Sequence, residues 1–84
     1  MNLEEKITKI IEKQLQEKEI FVDKVEYIKE DNNNFLRITI DCKNGVDIDT
    51  CVEASKIINP ILDEEDIIKD SYILDVTSKG VDDN

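Results

Sequence analysis

Apolar residues enter the chain at a helical spacing. Leu3, Ile7, Ile10, Ile11 and Leu15 recur at intervals of four, three, one and four. At 3.6 residues per turn these positions share one face, so the spacing predicts an amphipathic helix ending near Lys18. Asn2 suits the N-cap, and Glu5 follows three residues later, as in a capping box. Glu4 and Glu5 also suit the positive end of the helix dipole.

The period then changes to two. Within Ile20 to Glu30, Val25 and Tyr27 alternate with Lys24, Glu26 and Ile28. Within Phe35 to Asp41, Leu36, Ile38 and Ile40 alternate with Phe35, Arg37, Thr39 and Asp41. Two half-buried strands follow from this alternation. Asp31, Asn32, Asn33 and Asn34 separate them, and such residues tolerate the left-handed backbone that a hairpin needs.

Lys43, Asn44 and Gly45 predict a second turn, with Asp47 as the N-cap of a second helix starting at Ile48. Its apolar positions are Ile48, Cys51, Val52, Ile58 and Leu62, with the small Ser55 completing the stripe. Pro60 removes one backbone donor, so a bend or an end is expected near Asn59. Asp63 to Asp66 then reads as a solvated loop. Tyr72, Leu74 and Val76 alternate with Ile73, Asp75 and Thr77, which gives a third strand.

The order α-β-β-α-β predicts an α+β fold, a two-layer sandwich with two helices on one face of a three-stranded sheet. The pattern does not decide whether the third strand pairs with the first or the second. The expected core is Leu3, Ile7, Ile10, Ile11, Leu15, Val25, Tyr27, Leu36, Ile38, Ile40, Ile48, Cys51, Val52, Ile58, Leu62, Leu74 and Val76. The opposite sheet face would carry Phe35, Arg37, Thr39, Ile73, Asp75 and Thr77. It is partly apolar and open, as docking surfaces are. Residues 1–78 are expected to form one domain, and 79–84 a tail or the start of an interdomain linker.

Composition narrows function more than fold. With 84 residues there is room for one domain. Lys plus Arg is 11 against 21 Asp plus Glu, a net charge of −10. A surface this acidic repels phosphate, so nucleic-acid contact is confined to a local patch, or the partner is basic. No apolar run approaches the roughly 20 residues of a membrane helix, and the charged start MNLEEKITKI is no secretory signal. A cytoplasmic protein without a membrane partner is expected.

The chain has no His, which removes the usual general base, the Ser-His-Asp triad and most zinc sites. The spacing of Cys42 and Cys51 fits no zinc ribbon or finger, and two reduced thiols are expected. Calcium-loop spacing fails from both Asp31 and Asp47, and Gly45 and Gly80 alone cannot build a phosphate-cradling loop. The paired acids Asp47 with Asp49, the run Asp63 to Asp66, and Asp82 with Asp83 fall in predicted loops and helix starts, where water keeps them ordinary. No metal, no cofactor and no enzymatic activity are expected. One basic feature stands out. Lys6, Lys9 and Lys13 form a stripe on the first helix, read either as a phosphate contact or as ordinary pairing with glutamates such as Glu5.

The stretch from Val22 to Asp82 resembles the N-terminal domain of the bacterial ribosome maturation factor RimP. VDKVEYIKEDNNNFLRITID is similar to that family's first hairpin. GVDIDTCVEASKIINPILDEED is similar to its helix and acidic loop, and YILDVTSKGVD to its final strand and Ser-Pro-Gly-Leu-Asp motif. Lys79 stands where the family usually has Pro. The resemblance implies a non-catalytic factor in maturation of the small (30S) ribosomal subunit, binding pre-subunit rRNA and ribosomal protein. The family's C-terminal domain is missing from this chain, so the resemblance implies either an excised N-terminal domain, with Ser78, Lys79, Gly80 and Asp82 near the missing second domain, or a stand-alone relative. The implied fold is similar to bacterial-type KH domains, without their nucleic-acid-clamping GxxG loop. Under this reading Lys6, Lys9 and Lys13 are candidates for rRNA contact. Asp63, Glu64, Glu65 and Asp66 are candidates for contact with basic ribosomal protein, and the chain is a monomer. The alternative is a general protein-interaction or dimerisation domain that uses the open sheet face.

Overall fold

The computed structural model describes residues 2–42 and 48–79. The expected turn at Lys43 to Gly45 and the expected cap at Asp47 lie outside them. The first helix, α1, spans Leu3–Gln16. Its start is the expected capping box. The Asn2 side chain accepts from the Glu5 N–H at 2.8 Å, and the Glu5 carboxylate accepts from the Asn2 N–H at 3.3 Å. The helix ends slightly earlier than its spacing suggested. Lys18 and Glu19 N–H groups donate back to the Leu15 and Gln16 carbonyls, each at 2.9 Å, which tightens the last turn. Glu19 then takes a positive φ of 61°, and the chain turns into the sheet.

Strands β1 (Ile20–Glu30) and β2 (Asn33–Cys42) form the antiparallel hairpin. Its loop is shorter than the Asp31 to Asn34 run. Asn33 and Asn34 are already in the ladder, and Asp31 supplies the positive φ, 53°, that a two-residue turn requires. A β-bulge falls at Asp23, between Val22 and Lys24. An extra residue in one strand reverses which side chains face inward beyond it. Val25 and Tyr27 face the helices as expected. Beyond the bulge it is Ile20 that is buried, 2% exposed, while Phe21 is 47% exposed.

Helix α2 spans Ile48–Glu65, and strand β3 spans Ile73–Ser78. β3 pairs in parallel with β2, so the sheet order is β1-β2-β3 and α2 is the crossover that a parallel pair requires. The sheet is therefore mixed, and β2 is its centre. The inward residues of β2, Leu36, Ile38 and Ile40, are fully buried. They meet Ile7, Ile11 and Leu15 of α1 and Ala54, Ile58 and Leu62 of α2 in one core. Leu3, Ile10, Tyr27, Cys51, Leu74 and Val76 pack against it while half-buried.

Three expectations for α2 are corrected. Ile48 and Val52 are not core residues: they are 80% and 47% exposed. The buried row is Ala54, Ile58 and Leu62, flanked by Cys51, Ile57 and Ile61. Small Ala54 carries little apolar weight in a sequence, but it is fully buried. Second, of the bend or end expected near Asn59, the end does not occur. The helix runs through Pro60 to Glu65, and Leu62 beyond the proline is anchored in the core. The missing donor costs one backbone hydrogen bond, which tertiary packing of the following turn outweighs. Third, Asp63, Glu64 and Glu65 form the last helical turn instead of a loop. Asp66 ends the helix with φ 50°, its N–H donating to the Leu62 carbonyl at 2.9 Å.

Candidate charged contact surfaces

Lys6, Lys9 and Lys13 are exposed on the side of α1 opposite Ile7, Ile11 and Leu15. The two glutamates of the first turn are engaged elsewhere. Glu5 closes the capping box with Asn2. The Glu4 carboxylate crosses to the sheet and accepts the Tyr27 N–H of β1 at 2.9 Å, covering a backbone donor of an edge strand. Pairing of Glu5 with Lys9 therefore does not form. None of the three lysines enters an ion pair with a described residue. Like charges three and four apart on a helix repel, so the stripe stands as an uncompensated positive row.

The acidic candidates form a patch of opposite sign. Asp63, Glu64, Glu65 and Asp66 are all exposed at the C-terminal end of α2. That end carries the negative pole of the helix dipole, and its last turn contains no basic residue. Lys69 compensates Asp66 at 3.0 Å, while Asp63, Glu64 and Glu65 make no ion pair among the described residues.

The open sheet face is built as its alternation indicated, and the register arranges it in rows. Ile28, Phe35 and Ile73 stand side by side across all three strands, and Ile73 is 50% exposed. The next row is Glu26, Arg37 and Asp75, in which Arg37 Nε donates to Asp75 Oδ2 at 3.0 Å. Lys24 lies 3.5 Å from Glu26. Ser78 closes β3 opposite Ile40, and the Lys79 N–H extends the ladder to the Ile40 carbonyl at 2.9 Å. The Lys79 ammonium reaches Asp23 in the β1 bulge at 3.2 Å. Lys24, Arg37 and Lys79 are thus each tied to a carboxylate. Gly80 and Asp82 lie outside the described residues.

Sequence reading did not single out one further feature. Asn59, Asp63, Ser71, Tyr72 and Leu74 line a cleft of about 330 Å³ between the end of α2 and the entry to β3. Burial raises the Tyr72 phenol above its ordinary pKa of 10.0, with further upward pushes from the Asp63 carboxylate and the Tyr27 phenol. The available signal was Asn59 and Asp63 four apart on one helix face, but Tyr72 is brought there only by the crossover. Cys42 and Cys51 are half-buried thiols. Among the described residues no three Cys, Asp or Glu side chains group to hold a metal ion, and no helix is long and apolar enough to cross a membrane.

The described elements agree with the fold that the hairpin, crossover helix and final strand had implied by resemblance. A family model of the RimP N-terminal domain matches residues 5–82, from the first turn of α1 to beyond β3. The chain therefore belongs to the family of the RimP N-terminal domain, a domain of ribosome maturation factors.

Proposed function

We propose that this domain is a non-catalytic, cytoplasmic assembly module for the small ribosomal subunit, contacting rRNA backbone through Lys6, Lys9 and Lys13. The observation that carries this reading is the row of lysines without an ion-pair partner among the described residues, on a chain of net charge −10. Glu5, one turn from Lys9, serves the helix cap instead. A local cationic row on an acidic body admits a phosphate backbone at one place and repels it elsewhere. The acidic end of α2, Asp63 to Asp66, suits basic ribosomal protein, since complementary charge speeds encounter and selects partners. By resemblance to the family, residues 1–78 are the domain and 79–84 a tail or the start of an interdomain linker.

The cations of the open sheet face are already satisfied by Asp23, Glu26 and Asp75, so that face is a weaker candidate for RNA. Its row of Ile28, Phe35 and Ile73 favours the alternative of a protein-docking or dimer surface. Co-sedimentation with precursor small subunits tests the main reading. Replacing Lys6, Lys9 and Lys13 with Gln should weaken binding and make it less salt-sensitive. For contact with duplex rRNA the slope of log K against log salt should shrink by about 2–3, close to one for each phosphate that is no longer neutralised. Unchanged binding and slope would sink the lysine contact.

A further inference from the structure

The cleft at the end of α2 has a composition that selects its occupant. Its lining offers one carboxylate, Asp63, one side-chain amide, Asn59, a serine, Ser71, and the ring of Tyr72 beside Leu74. No cation lines it. Asn59 and Asp63 stand one helical turn apart on α2, so their polar ends are neighbours. The opposite wall belongs to the segment entering β3. That segment is fixed to the hairpin by a hydrogen bond from Asn34 Nδ2 to the Ser71 carbonyl at 3.0 Å. The two walls are thus held by separate elements, a pre-formed gap and not a loop awaiting a ligand.

We propose that this cleft receives an arginine side chain from a basic protein partner. Asp63 would take the guanidinium through paired N–H donors, Tyr72 would lie against its flat face, and the Asn59 amide oxygen would accept a remaining N–H. A phosphate or carboxylate ligand would meet Asp63 with like charge. A metal ion would find a single carboxylate, and no three-ligand group exists among the described residues. Lysine matches less well, because an ammonium is a compact, strongly hydrated point charge without a planar face to stack or a fork to match the carboxylate. The volume, about 330 Å³, is at the small end for ligand sites and suits one side chain better than a whole cofactor. The raised pKa of Tyr72 is consistent with this geometry, since it reports partial burial of the phenol beside the Asp63 charge.

The proposal rests on the reading that the acidic flank faces basic protein, and it narrows that reading to one pocket and one side chain. The test is an amide ¹H–¹⁵N titration of the whole chain at low salt with the capped tripeptide acetyl-Gly-Arg-Gly-amide, and with its lysine counterpart. Shifts should concentrate at Asn59, Asp63, Ser71, Tyr72 and Leu74, with arginine binding more tightly than lysine. Asp63→Asn should weaken the arginine peptide about threefold to tenfold, while Glu64→Gln, an equal charge change outside the cleft, should leave it nearly unchanged. Tyr72→Phe should retain binding, and Tyr72→Leu should remove the preference for arginine.

Diffuse shifts over Glu64, Glu65 and Asp66, or equal losses from Asp63→Asn and Glu64→Gln, would overturn the cleft as a site. Co-sedimentation with precursor subunits separates the two levels of the argument. If neutralising all four acids abolishes precursor binding but the peptide titration is diffuse, the acidic flank stands and the arginine cleft falls. If the peptide binds as described but the four-acid variant still binds precursors fully, the cleft stands and the ribosomal reading of the flank falls.

Discussion

In α1 the buried residues Ile7, Ile11 and Leu15 stand in one row, and apart from half-buried Leu3 and Ile10 the rest of the helix is polar or charged. In α2 apolar residues occupy two sides: Ala54, Ile58 and Leu62 face the core, while Ile48 and Val52 remain exposed. The helices also differ at their ends. α1 begins with a closed capping box, whereas α2 ends in three acids at the pole of its dipole that disfavours them. A helix with one apolar stripe declares its orientation in the sequence. A helix with two leaves the choice to the tertiary structure.

The comparison breaks most directly at the core. Ile11→Ala in α1 and Ile58→Ala in α2 should each cost about 2–5 kcal/mol in chemical denaturation, the usual loss for a fully buried aliphatic side chain. Ile48→Ala and Val52→Ala should cost less than about 0.5 kcal/mol, as exposed positions do. A loss at Ile48 equal to that at Ile58 would restore the stripe that the sequence spacing favoured.

These positions also mark where the fold was legible. The stripe of α1, its cap, the hairpin, the inward residues of β2 and the element order all follow from local periodicity and cap chemistry. What escaped depended on partners distant in sequence. The bulge at Asp23 reverses the facing of β1, so the alternation set by Val25 and Tyr27 could not reveal Ile20 as a core residue. Pro60 remains inside a helix because Leu62 beyond it is buried, a tertiary effect that overrides a local penalty. The parallel placement of β3 beside β2 is a long-range choice with no local signal. At the candidate surfaces, the lysine row was legible but its lack of partners was not. That required seeing the Glu5 carboxylate held at the Asn2 N–H and no ion pair to the three lysines among the described residues.

A smaller effect sharpens the contrast at the helix ends. Asn2→Ala should lower stability by about 0.5–2 kcal/mol through loss of the cap to the Glu5 N–H. The Glu5 carboxylate accepts from the backbone N–H of residue 2, which alanine keeps, so the substitution removes only the side-chain half of the capping box. Thermal melting reads the loss, and an unchanged melting temperature would mean that the cap does not hold the start of α1.

The smallest expected change concerns charge at the far end of α2. Replacing Asp63, Glu64 and Glu65 with Asn, Gln and Gln should raise stability, by a few tenths of a kcal/mol per residue at low ionic strength. Each acid opposes the local dipole, repels its neighbours and has no cation partner among the described residues. The gain should shrink as salt rises, because the screening length falls from about 10 Å at 0.1 M to about 3 Å at 1 M. A loss of stability on neutralisation would give these acids a structural role and remove the reason to look for a partner there. A gain in stability together with weaker binding to precursor subunits would show the fold bearing a small local cost at a contact surface. Side chains that oppose their own helix are better explained by what they meet outside it.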